Sequence, residues 1–136
     1  MSQENVERIR RGYEAFNEGG VPAMAETFWA SDVVWDMRPM GIPGLGTYEG
    51  AEGIGAFMDE WLSAFDASDW QIEAIELIDA GDQVVAVGRQ RGRGASSGAD
   101  VELEFAQLFT VRDGKATRIV TYMTRDEALE AAGLSE

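Results

Sequence analysis

Neither histidine nor cysteine occurs in this chain, and lysine occurs once, at Lys115. The first two absences remove Ser-His-Asp and Cys-His nucleophilic arrangements, disulfides, and ordinary zinc or facial-triad iron sites. The solitary lysine falls in a predicted hairpin turn, a poor place for the buried amine that Schiff-base chemistry needs. Phosphate loops and dinucleotide fingerprints are missing too, since Gly92 and Gly94 among arginines match neither pattern. A carboxylate-only metal site would call for a dense acidic loop, and no such motif is present. No metal and no cofactor are therefore expected. No apolar run approaches the roughly 20 residues of a membrane span, and the polar start MSQENVERIRRG lacks the core of a signal peptide. No membrane partner is expected, and a cytoplasmic location is the default that the missing cysteines also fit. Acid–base chemistry is left to Asp, Glu, Tyr or bound water.

Positive charge is scarce as well. Eleven basic side chains face 25 acidic ones, a formal net charge of −14. That field repels a phosphate backbone, so no nucleic-acid partner is expected. The one basic cluster, Arg89, Arg91 and Arg93, sits close to Asp100, Glu102 and Glu104. The 136 residues, 45% of them hydrophobic, suffice for one domain, 1–136, with its own core.

Ser2 can cap a first helix running to about Glu18, with Glu4 in its first turn. Val6, Ile9, Tyr13 and Phe16 fall on one face of it. Gly19-Gly20 stops it, and Pro22 suits the start of a shorter helix carrying Met24, Phe28 and Trp29. Val33 to Met37 reads as a short strand. Arg38 to Gly50, with two prolines and four glycines, reads as a long irregular loop. The stripe Ile54, Phe57, Met58, Trp61, Leu62, Phe65 predicts a helix over 51–67, ragged at Gly53 and Gly55. The period then becomes extended. Strands are predicted over 70–78, 83–91, 101–111 and 116–123, with turns at Asp79–Asp82 and Arg112-Asp113-Gly114. Thr124 and Glu127 form a capping box for a last helix closed by Gly133. Short links between consecutive strands mean antiparallel hairpins, with the preceding helices covering one face.

The strings YEAFNEGG, SDVVW, TYEGAEGI, IDAGDQVV, VRDGKATRI and RDEALEAAGL occur in this order across nearly the whole chain. In order and spacing the chain resembles the nuclear transport factor 2-like superfamily, and within it the SnoaL-like group of polyketide cyclases and ketosteroid isomerase relatives. The resemblance implies an α+β fold: a cone-shaped, curved, mostly antiparallel sheet wrapped around helices, as in the cystatin-like α+β roll. It also implies a cavity inside the cone and, as in many members, a homodimer through the outer sheet face. Members of the superfamily include isomerases, cyclases, epoxide hydrolases, dehydratases and binding modules, so the fold does not choose the function.

Alternation along the strands selects the candidate site residues. Leu103, Phe105, Gln107 and Phe109 share one face, and Gln107 among aromatics reads either as a pocket hydrogen-bonding group or as a backbone-satisfied core amide. The resemblance aligns Gln107 with an acidic residue that hydrogen-bonds the substrate oxygen in the isomerases. It aligns Met37 with their general base. Asp36 lies one residue away, on the other face unless a bulge turns it inward. Tyr13 falls near the place of a catalytic tyrosine, yet its spacing also fits the core. Val85, Val87 and Arg89 face inward in one register, and in the other Arg89 meets Glu104 outside. Arg118 and Tyr122 share a face of the last strand. The expected pocket comprises Trp35, Met37, Trp61, Val87, Arg89, Phe105, Gln107 and Phe109. Catalytic candidates are Asp36, Gln107 and Arg89. The expected partner is a small apolar or flat metabolite, with a carboxylate-based isomerase, cyclase or hydrolase and a dimeric scaffold as rival readings.

Overall fold

The computed structural model describes residues 2–65 and 70–134. Three helices and six strands follow the order α1 (Ser2–Phe28), β1 (Trp29–Asp36), β2 (Thr47–Glu49), α2 (Gly50–Leu62), β3 (Gln71–Asp79), β4 (Gln83–Arg93), β5 (Asp100–Arg112), β6 (Lys115–Tyr122) and α3 (Arg125–Ala131). The strands form one sheet in the order β2-β1-β6-β5-β4-β3. Only β1 and β6 run parallel; every other neighbouring pair is antiparallel. Register shifts between Trp29 and Val34, Ala74 and Glu76, and Thr110 and Val111 mark bulges, which bend strands and add twist. The result is a curved, open α+β cone.

The two larger helices, α1 and α2, pack inside it. Ile9, Phe28, Ile54, Val33, Val84, Phe109 and Ile119 are almost wholly shielded and belong to the large core between helices and inner face. Asn17 fastens α1 to the edge strand β3: its amide donates to the Ile72 carbonyl at 2.6 Å and its oxygen accepts from the Ile72 N–H at 2.9 Å. On the outer face, α3 lays Ala128 and Leu129 over Val85, Ala106 and Leu108. Its capping box, Thr124 with Glu127, is formed, and Gly133 at φ 78° closes it. No helix among the described residues is long and apolar enough to cross a membrane.

Several boundaries differ from those predicted. The break expected at Gly19-Gly20 is present: Gly20, at φ 73° and ψ −159°, is non-helical, and α1 consists of two helical segments that meet there at a kink. Trp29 leaves the helix and opens β1, paired with Ala116 of β6. Part of the supposed loop after Asp36 is regular: Arg38–Met40 is a 3-10 turn with Pro39 as its second residue, and Thr47–Glu49 pairs with Val34–Asp36. The helix predicted over 51–67 ends at Leu62 because Phe65 bridges to Gly94 and the Ala95 N–H donates to the Ala64 carbonyl at 3.0 Å. Its expected end, Ala67, lies outside the described residues, as does the Ser2 side chain proposed as a cap. At the β5–β6 hairpin both Asp113 (φ 54°) and Gly114 (φ 79°) take positive φ, the geometry of a two-residue type I′ turn.

Candidate functional site

Between the inner sheet face and the two larger helices lies a cavity of about 50 Å³. Its walls are aromatic and thioether side chains, including four of the chain's six methionines: Met24, Met37, Met40 and Met58. Among the described residues none that lines it carries a charge.

Polar groups enter from β5 and β6. Gln107 lies directly opposite Thr121, and its amide N–H donates to the Thr121 hydroxyl at 3.1 Å. From α1 the Tyr13 hydroxyl donates to the Gln107 oxygen at 2.6 Å. From β1 the Trp35 indole N–H donates to the Thr121 oxygen at 2.7 Å. Four elements thus share one neutral network in which Tyr13, Gln107 and Thr121 are all 5% exposed or less. Burial alone pushes the Tyr13 phenol far above its ordinary range, because a phenolate there would lose water without gaining a cation. Tyr13 is therefore a fixed hydrogen-bond donor at neutral pH. A second knot sits by Gln90, whose oxygen accepts from the Trp61 and Trp70 indoles at 3.0 and 3.2 Å.

Trp35, Met37, Trp61, Phe105 and Gln107 line the cavity. The inward placement of Val87 and Arg89 is corrected. In β4 the inner residues are Val84, Ala86 and Gln90, while Val85 packs outside under α3, so Val87 and Arg89 share the outer face by alternation. Gly88 explains the register. It sits opposite Phe105, and a Cβ there would come within 2.6 Å of the Phe105 ring, so the inner position is left vacant for that ring. Arg89 pairs with Glu104 at 3.3 Å and Glu73 at 3.7 Å. Phe109 faces inward but is fully buried against Tyr13 and Phe28 rather than lining the cavity.

Asp36 is turned away from the cavity as well, since no bulge falls between it and Trp35. It is 4% exposed and accepts from the Arg38 side chain at 2.9 and 2.8 Å, the Arg38 backbone N–H at 3.0 Å and Arg118 at 3.2 Å. The Arg38 hydrogen bonds hold its carboxyl below the usual carboxylate range against the opposing effect of burial. A carboxylate so held is a structural anchor and a weak base. Among the described residues no cluster of three or more Asp or Glu could hold a metal ion.

Gln90, Trp29, Trp70 and Thr121 were not singled out from the sequence, although they line the cavity. Strand parity puts Gln90 inward in one of the two registers left open for β4. Trp29 was hidden by its assignment to a helix.

A family model described as the SnoaL-like domain matches residues 9–119. Among solved structures, TerC co-crystallized with polyporic acid is 27% identical, with 96% of this chain and 98% of that one covered and a TM-score of 0.75. A nuclear transport factor 2-like protein from Burkholderia xenovorans LB400 is 27% identical, covering 97% of both chains with a TM-score of 0.68. One of unknown function from Burkholderia pseudomallei K96243 is 24% identical, covering 93% and 95% with a TM-score of 0.72. The curated proteins contain no match.

Proposed function

The chain belongs to the family of SnoaL-like domains, and from that premise we propose that it binds a small, flat, mostly apolar molecule inside the cone. The observation that carries this reading is a cavity walled mostly by aromatic and methionine side chains, with no charged side chain among the described residues. Ligand pockets combine such walls with a few placed polar groups, and here those groups are Tyr13, Gln107 and Thr121. At about 50 Å³ the space is smaller than the roughly 150 Å³ that accepts benzene in an engineered cavity. A larger guest therefore requires its walls to yield, which the unbranched, flexible methionines allow. The similar TerC structure was co-crystallized with polyporic acid, a precedent for a guest of metabolite size on this fold.

A carboxylate-based isomerase or cyclase is the weaker reading, because no Asp or Glu among the described residues lines the cavity and Asp36 is engaged by two arginines. The proposal also sets a second copy against the outer sheet face. Arg89 and Arg91 there alternate with Glu73, Glu102 and Glu104, a patch able to match its own copy across a two-fold axis. A monomer in light scattering at micromolar concentration removes that part alone.

Thermal-shift screening against flat polyketide-like, steroid and terpenoid compounds tests the binding reading. The expected result is a rise in Tm with at least one class, diminished in Ile119→Phe, which fills the cavity. No stabilisation by any class, or an equal rise in the filled variant, overturns it.

A further inference from the structure

Of the chain's four tryptophans, three donate their indole N–H within the protein: Trp35 to Thr121, Trp61 and Trp70 to Gln90. Trp29 does not. Its ring lines the cavity, the residue is 5% exposed, and its Nε1 is buried without any hydrogen-bond partner. Buried donors left unmade are costly and uncommon. The ring is held edge-on to Trp35, with centroids 6.4 Å apart. We infer that Trp29 is the residue that orients the guest, donating its indole N–H to an acceptor oxygen on a neutral carbonyl-bearing ligand; this rests on the binding reading above.

The rest of the wall points to the same ligand class. The three bonds of the Tyr13–Gln107–Thr121–Trp35 network use the phenol O–H, one amide N–H and one indole N–H. They fill both acceptor positions of the Thr121 oxygen, so the Thr121 O–H and the second Gln107 N–H remain as donors. Turning the Gln107 amide by half a revolution changes which hydroxyl is left over but not the surplus. The Gln90 oxygen is likewise filled by two indoles. A wall whose donors outnumber its open acceptors favours a guest rich in acceptors. An anionic guest is disfavoured, since no lining residue is a cation and an unpaired buried charge is costly. What remains is a neutral molecule with ketone-type oxygens.

Indane and 1-indanone form a suitable probe pair, the same bicyclic frame with a methylene or a carbonyl. NMR titration of the whole chain is followed at the indole N–H signals. The expected result is that both bind, and that the Trp29 signal moves downfield with 1-indanone but not with indane. Trp29→Phe should raise the 1-indanone Kd about tenfold and leave the indane Kd within about twofold. If both probes bind and shift the Trp29 signal alike, the donor role fails while the binding reading stands. If neither perturbs the cavity signals, both fail together. The wild-type measurement decides the matter even where the variant does not fold.

Discussion

Two polar clusters of this protein lie back to back across the same strands, and they solve burial in opposite ways. On the inner face Trp35 and Thr121 join Tyr13 and Gln107 in a network without charge. One residue along β1, on the outer face, Asp36 is ionised and gripped by Arg38 and Arg118, whose side chains are 66% and 47% exposed. A charge is tolerable at the outer face because water still reaches the guanidinium groups. In the apolar cavity, donors and acceptors must be matched by neutral partners, since an unpaired ion would be desolvated without compensation. Hydrogen-bonding directionality is thus kept inside and charge is kept outside. The proposed binding reading rests on this division.

Breaking the inner network should cost most. Gln107→Leu strands the Tyr13 hydroxyl without its acceptor, and a destabilisation of about 3 kcal/mol is expected by urea denaturation. Adding Tyr13→Phe to that variant should recover part of the loss, because a buried hydroxyl without a partner is worse than none. Strict additivity of the two substitutions would show that the network has no cooperative value. On the outer face Asp36→Ala should cost about 2 kcal/mol. It leaves two arginines facing each other, though both retain access to water.

Titration separates the clusters more finely. Asp36 has a folded pKa below its ordinary 3.8, so the unfolded chain binds more protons in acid. Its stabilisation is present above about that value and is lost as pH falls through the folded pKa. Tyr13 has a folded pKa above its ordinary 10.0, so the unfolded chain loses its proton first. Its stabilisation is full below that value and declines as pH rises beyond it. Asp36→Asn should therefore flatten the acid limb of the stability profile and Tyr13→Phe the alkaline limb. An exchange of those effects would contradict the placement of the two groups.

The smallest effect is expected at Arg89. Its partners Glu73, Glu102 and Glu104 are each about half exposed or more, and surface ion pairs contribute roughly 0–1 kcal/mol. Arg89→Ala should lower stability by about 0.5 kcal/mol and leave indane binding unchanged, measured by calorimetry and titration. Weakened binding would put the guanidinium back at the cavity.

Much of the fold was legible in local chemistry. The stripe from Ile54 to Trp61, the Asp113-Gly114 turn and the Thr124–Glu127 box each depend on neighbours within a few residues, and each formed. Alternation placed Gln107 and Trp35 inward and Asp36 outward. Alternation left two registers open on β4, because parity there is set by a contact between strands: the Phe105 ring occupies the space over Gly88. Trp29 was misread for a similar reason. Its helical spacing is satisfied locally, yet pairing with Ala116 draws it into the sheet.

The sequence by itself determined the order of helices and strands and hence the α+β class, since these follow from periodicity and turn residues. Only the tertiary structure decided that Arg89 faces outward, that Thr121 and Gln90 join the cavity wall, and that Trp29 alone among the tryptophans keeps an unused donor. Those facts depend on which strands lie side by side, and long-range pairing leaves no mark within any one segment of the chain.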